Sequence, residues 1–195
     1  MRYGGRDSTS PDTYLNLQSF ESAARRALEL HRRYENGDLK LPERPAPFLP
    51  RQIPLLVGRT FDRGRCVECH LIGDFENIQR QQDGTLDKRT DLYRSPDIQR
   101  LGIELDIPKG LIVADARGPA EMAGMRPGDQ ILSLNGTAVW TFGDLQYFYD
   151  KVNREATQVH IAVERNGATR DLTVTLPPRW WWTDLKFRQS SITVL

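Results

Sequence analysis

Five prolines stand within fourteen residues of this chain, in "LPERPAPFLPRQIP" at positions 41 to 54: Pro42, Pro45, Pro47, Pro50 and Pro54. A proline fixes its own φ and has no N–H to donate, so neither a helix interior nor a central strand tolerates that density. The stretch is expected to run extended, as a polyproline-like strap. It parts the chain into stretches of different texture. The expected division is a helical segment over 1–39, a linker over 40–60, a cysteine-containing element over 61–98, a strand-rich domain over 99–178 and a tryptophan-rich tail over 179–195.

Ahead of the strap, residues 17 to 36 read as a helix. Phe20, Ala24, Ala27, His31 and Tyr34 recur at spacings of 4, 3, 4 and 3, one face of a 3.6-residue period. That face is expected to be the buried one, and Arg25, Arg26, Glu29, Arg32 and Arg33 fall largely elsewhere. "NGD" at 36 to 38 stops the helix, with Gly37 free to take a positive φ.

Behind the strap, "HLIGDFENIQRQQ" reads as a short helix. From Leu101 to about Leu176, five strand-like runs follow: "LGIELDI", "GLIVADA", "QILSLNG", "TQVHIAVERNG" and "ATRDLTVTLP". Two helical pieces, "GPAEMAGM" and "TFGDLQYFYDKVN", lie between them, which makes the class α+β. Lys+Arg number 27 against 26 Asp+Glu, a net charge of +1, so nucleic acid is a poor partner. The longest apolar runs, such as "IPLLVG", are too short to span a bilayer. The start, "MRYGGRDSTSPD", lacks the apolar core of a signal peptide, so any export signal is expected outside this chain.

Residues 101 to 176 resemble a PDZ domain of the bacterial type found in HtrA proteases. "LGIEL", "GLIVADARGPAEMAGMRPGDQILSLNGTAV", "FGDLQYFYDKV" and "VHIAVERNGATRDLTVTL" carry the resemblance. The residues make sense without the name. Pro119 suits the first turn of a helix, Gly124 its end, "NG" at 135 and 136 a tight turn, and Thr141 a helix cap. The resemblance implies a small β-barrel or sandwich with two helices. It also implies capture of a protein or peptide C-terminus as a strand beside "IELDI". Leu101, Gly102 and Ile103 would offer N–H groups to the terminal carboxylate, with Gly102 letting backbone approach the ligand. Ile103 and Leu105 would line the apolar pocket, and Phe142, Gln146 and Tyr149 would face the groove. No G-x-S-x-G or G-N-S-G-G run and no serine in a nucleophile context points to proteolysis, so an enzyme is not expected.

The stretch "RCVECHLIG" holds both cysteines, Cys66 and Cys69, followed by His70. C-x-x-C-H is the attachment pattern of a c-type haem: two thioethers to the vinyls and the adjacent histidine on the iron. Haem c is the expected cofactor, bringing a redox, electron-transfer or sensing role and a possible redox partner. Thiol–disulfide chemistry and metal binding are the alternatives, although zinc wants four ligands. Two cysteines two residues apart staple no distant parts, which excludes a disulfide framework. No methionine or second histidine lies between His70 and Leu101. His31 is therefore the candidate second iron ligand, while Met122 and Met125 are expected in the core and His160 at the surface.

Tyr3 to Asp7 (Y-G-G-R-D), "ALELHRRY", C-x-x-C-H, the PDZ-like region and the tail from Trp180 to Arg188 together resemble a family of bacterial exported multidomain proteins. In these a thioredoxin-like domain precedes a haem-type motif and a PDZ domain. The resemblance implies an exported, periplasmic setting, with the present N-terminus the end of the thioredoxin-like domain. Trp180, Trp181 and Trp182 are expected to pack rather than to anchor in a membrane. The end "SITVL" presents Thr193, Val194 and Leu195 as a possible ligand for the chain's own groove.

Overall fold

The periodic stretch ahead of the strap forms helix α1 (Leu17–Glu35), in a computed structural model that describes residues 17–39, 46–67 and 69–182, the side chains of Ser19, Cys69 and His70 excepted. Gly37, at φ 78°, ends the helix, and the Asp38 N–H donates to the Arg33 carbonyl at 2.8 Å. The face expected to be buried is exposed. Phe20 is 66% accessible, Tyr34 54%, and His31 is exposed with Nε2 3.3 Å from Glu35 Oε1. Ser22, Arg26 and Leu30 are the half-buried positions, and with Ala23 and Ala27 they face the turn Ile107–Lys109. Small alanines allow close approach, and an arginine stem covers apolar surface while its head stays wet. Periodicity located a stripe but not the side on which the protein would cover it.

By contacts the chain forms two compact units: residues 1–41 with 95–180, and residues 42–94 with 181–195. In the second unit the strap is not extended throughout. Residues 46–49 carry no regular structure, then Pro50 opens a 3-10 turn (Pro50–Gln52) and Pro54 opens α2 (Pro54–Arg59). The expectation of uniform extension fails because a proline at the first position of a helical turn forfeits nothing; the N–H it lacks would have no partner there. Ile53 and Leu56 are buried at 2% and 0% exposure, so this segment supplies core rather than spacing. Helix α3 (Cys69–Gln82) follows, and Ile78, Leu86 and Tyr93 pack on buried Leu92. Arg80 pairs with Glu76 at 2.8 Å and with the nearly buried Asp91 at 3.1 Å, and Arg94 reaches Glu76 at 3.0 Å.

In the first unit, β1 (Ile103–Leu105) and β2 (Val113–Ala116) pair antiparallel. The Arg117 N–H donates to the Gly102 carbonyl at one end and the Asp106 N–H to the Ile112 carbonyl at the other, both at 2.8 Å. Helix α4 (Gly118–Met122) starts on Pro119 in its first turn, and Gly124, at φ 88°, closes the turn after it. A second sheet, in the order β4-β3-β5-β6, comprises β3 (Gln130–Leu134), β4 (Thr137–Ala138), β5 (Gln158–Arg165) and β6 (Ala168–Thr175). Two Asn-Gly pairs build its hairpins. Asn135 and Gly136 have φ of 47° and 76°, Asn166 and Gly167 of 53° and 75°, the left-handed pairs that a two-residue hairpin between twisted strands requires. The two-residue β4 was not foreseen.

Strand alternation sends Val159, Ile161 and Val163 of β5 into the core at 0% exposure and leaves His160 outside. Met125 is buried as expected, but Met122 is 79% exposed, because a helix of barely more than one turn cannot bury both ends. Helix α5 (Phe142–Asp150) carries a capping box: Thr141 Oγ1 accepts from the Asp144 N–H at 3.2 Å, and Asp144 accepts from the Thr141 N–H at 2.8 Å. Leu145, Tyr149 and Val152 are buried beneath it. Trp180 is 2% exposed, its ring centred 4.9 Å from that of Tyr149. The first tryptophan of the triplet is thus core. Residues 1–16, 40–45 and 183–195, with the Y-G-G-R-D run and the Thr193–Leu195 motif, lie outside the described residues.

Candidate peptide-binding groove

Among the described strands β1 pairs only with β2, so its other side is an open edge. Gly102 and Asp106 bond inward to the β2 side. By the antiparallel alternation, Ile103 and Leu105 between them turn their N–H and C=O groups to the open edge. A cleft of about 280 Å³ lies beside that edge, its apolar walls formed by Ile103, Leu105, Ile98 and Phe142 of α5, its polar rim by Asp97, Glu104 and Asp106. The geometry is a strand edge with a pocket for alternate side chains, which suits an extended polypeptide.

The sequence-derived site is brought together only in part. Ile103, Leu105 and Phe142 converge on the cleft. Leu101 does not: it is 0% exposed, a core residue beneath the loop. Gly102 is required by the fold itself. Its φ is +80°, and a Cβ there would come within 1.8 Å of the Arg117 carbonyl oxygen; its own N–H donates to the Gln99 carbonyl at 2.9 Å. Gln146 donates from Nε2 to the Pro96 carbonyl at 2.7 Å. Tyr149, expected to face the groove, is 0% exposed because Trp180 covers it. Its hydroxyl and the Trp180 Nε1 have no hydrogen-bond partner among the described residues. Burial pushes the Tyr149 pKa well up, reinforced by Asp97 and partly offset by Arg100 and Arg154.

Sequence reasoning missed Asp97 and Pro96, though "SPDIQR" held the signal. Asp97 caps the 3-10 turn Ile98–Leu101, its carboxylate accepting from the Gln99 N–H at 3.0 Å. It also missed Asp129, which is 0% exposed and accepts from Arg165 Nε at 2.6 Å, Arg165 Nη2 at 2.7 Å and the Arg126 N–H at 2.9 Å. Burial is the largest influence on that carboxyl and pushes its pKa up. The Arg165 and Arg126 hydrogen bonds and the two positive charges together outweigh it, and the net pKa lies below the ordinary 3.8. Arg165 also donates to the Gly124 carbonyl at 2.7 Å, so this cluster clamps the end of the α4 turn onto β5.

Of the C-x-x-C-H residues, Cys66 is exposed on the segment leading into α3, and Cys69 and His70 are the first two residues of that helix. The side chains of Cys69 and His70 lie outside the description. His31 belongs to the first compact unit and Cys66 to the second.

A strand edge beside a helix is a geometry that can accept an added strand. Residues 112–165, from the start of β2 to the end of β5, match the family model of the PDZ domain. The chain carries a PDZ domain. Over 59 residues it is 39% identical to a Borreliella burgdorferi protein named "Putative zinc metalloprotease", covering 29% of this chain and 13% of that protein. Over 74 residues it is 35% identical to the "Probable periplasmic serine endoprotease DegP-like" of Pseudomonas savastanoi pv. phaseolicola, covering 37% of this chain and 15% of that one. The chain thus spans only a small fraction of these relatives' length. Among solved structures, the PDZ domain of EpsC from Vibrio cholerae (residues 219–305) is 26% identical with a TM-score of 0.29, covering 34% of this chain and 77% of that one.

Proposed function

We propose that this protein captures an extended segment of a partner protein by adding it as a strand to the open edge of β1. The observation that carries the reading is the coincidence of that edge with the cleft of Ile103, Leu105 and Phe142. Main-chain hydrogen bonds would supply affinity and the cleft would select alternate side chains. The protease relatives match over only 59 and 74 residues, 13% and 15% of their length, so peptide binding is the activity proposed here, not their hydrolysis. The word "periplasmic" in the name of the DegP-like relative supports an exported setting.

The test is a titration of labelled, valine-rich extended peptides against wild type, Leu105→Asp and Phe142→Asp. Leu105 and Phe142 are half-buried at the rim of the cleft, and both variants are expected to weaken binding at least about tenfold, the cost of placing a charge against a buried apolar side chain. Equal binding by all three proteins, or none by wild type, would mean that the fold here is only a scaffold.

A second reading is supported by the exposure of Cys66. An exposed thiol just ahead of a helix that begins with Cys69 and His70 leaves its sulfur accessible to a haem edge, so the residue fits covalent attachment. Cys66 and Cys69 would hold haem c through thioethers, and His70 would ligate the iron. When bound, the haem supplies redox or small-molecule-binding chemistry, with a redox partner implied by the former. Protein exported from a host competent in cytochrome c maturation is expected to gain the mass of one haem, and Cys66→Ala to lose it. An unchanged mass would leave thiol–disulfide or metal chemistry for the pair.

A further inference from the structure

Resting on the strand-addition reading, we propose that the groove takes an internal, lysine- or arginine-bearing segment of its partner rather than a free C-terminus. The end of the groove where a terminal carboxylate would dock is engaged by the chain itself. The Gly102 N–H is donated to the Gln99 carbonyl at 2.9 Å. Gln146 is committed to the Pro96 carbonyl at 2.7 Å, and the Ser95 N–H to Asp150 Oδ1 at 2.8 Å. Residues 95–98 therefore lie along the second half of α5, with Ile98 only 3% exposed, and of that helix only Phe142 is left on the cleft.

Charge points the same way. Asp97, Glu104 and Asp106 all line the cleft, and none of its lining residues is basic. Lys109 offsets Asp106 at 2.7 Å, whereas Glu104 is exposed on the strand that receives the ligand. A terminal carboxylate entering here would meet like charge with the Gly102 N–H already committed, while a strand passing through brings no such charge. Alternation then fixes where the cations belong. Ile103 and Leu105 turn into the cleft, and Glu104, exposed at its rim, alternates to the other face of the strand, so a strand added beside β1 sets its apolar side chains on the cleft and its alternate ones beside Glu104.

Fluorescence anisotropy on the full chain with four short labelled peptides tests this. Two alternate valine with lysine and two valine with glutamate; one of each pair is acetylated and amidated, the other ends in a free carboxylate. The amidated lysine peptide is expected to bind at least as tightly as its free acid. It is also expected to bind about two- to fivefold more tightly than the amidated glutamate peptide, the range of an exposed ion pair. Glu104→Lys, a change at an exposed position, should invert that order while leaving the melting temperature in place. Free-acid binding about tenfold tighter than the amide would overturn the inference, as would indifference to lysine against glutamate. Binding of none of the four would overturn strand addition itself.

Discussion

A Cβ on Gly102 would fall 1.8 Å from the Arg117 carbonyl oxygen, at a φ of +80°, so two independent penalties meet at one atom. Left-handed backbone costs a non-glycine residue about 1–3 kcal/mol, and the oxygen in the way belongs to backbone that is itself bonded through the Arg117 N–H to the Gly102 carbonyl. Gly102→Ala is expected to destabilise the protein by about 2 kcal/mol or more, read from urea unfolding. Gly73→Ala is the contrast. Its Cβ would meet nothing within 4 Å, in the interior of α3, and a stabilisation of about 0.5–1 kcal/mol is expected there. That residue 102 must be glycine was legible in the sequence; the clash with the Arg117 carbonyl was not. A loop sequence does not say which distant carbonyl will sit against it. Tyr149 shows the same limit, since its helical phase was readable but not that Trp180 would cover it.

Elements that carry their own chemistry were read well. The Asn135-Gly136 turn, the Thr141 cap, the alternation of β5 and the end of α1 at Gly37 are local, and each is decided by residues within a few positions of one another. Elements whose burial depends on a distant partner were read less well. The periodic face of α1 is exposed because Ser22, Arg26 and Leu30 meet the turn Ile107–Lys109 instead. The prolines of the strap start helical turns because Ile53 and Leu56 find a core. The clamp between the α4 turn and β5 is likewise non-local, 36 residues separating Asp129 from Arg165, and it carries a pH signature. The folded-state pKa of Asp129 is lowered, so its contribution is present above the ordinary aspartate value of 3.8 and is lost as pH falls through the lower folded value. Asp129→Asn is expected to be less stable than wild type by about 2 kcal/mol near neutrality. The gap between the two proteins should close in acid, measured as urea midpoints along a pH series. A gap that stayed constant down to strong acid would show that the carboxylate does not act through its charge.

At the scale of the whole molecule, a PDZ domain occupies the strand-rich half, and the stretch holding the C-x-x-C-H pattern lies in the other compact unit. Strand addition at β1 is the central claim, and it concerns particular hydrogen atoms: the amide protons of Ile103 and Leu105, which point to an edge with no strand on it. Amide hydrogen exchange resolved by NMR, with and without a saturating valine–lysine peptide, observes those protons directly. Marked slowing at Ile103 and Leu105 on binding, with the second sheet unchanged, is the predicted result. A bound peptide that leaves both amides exchanging as before, or that protects a different edge such as β6, would contradict it.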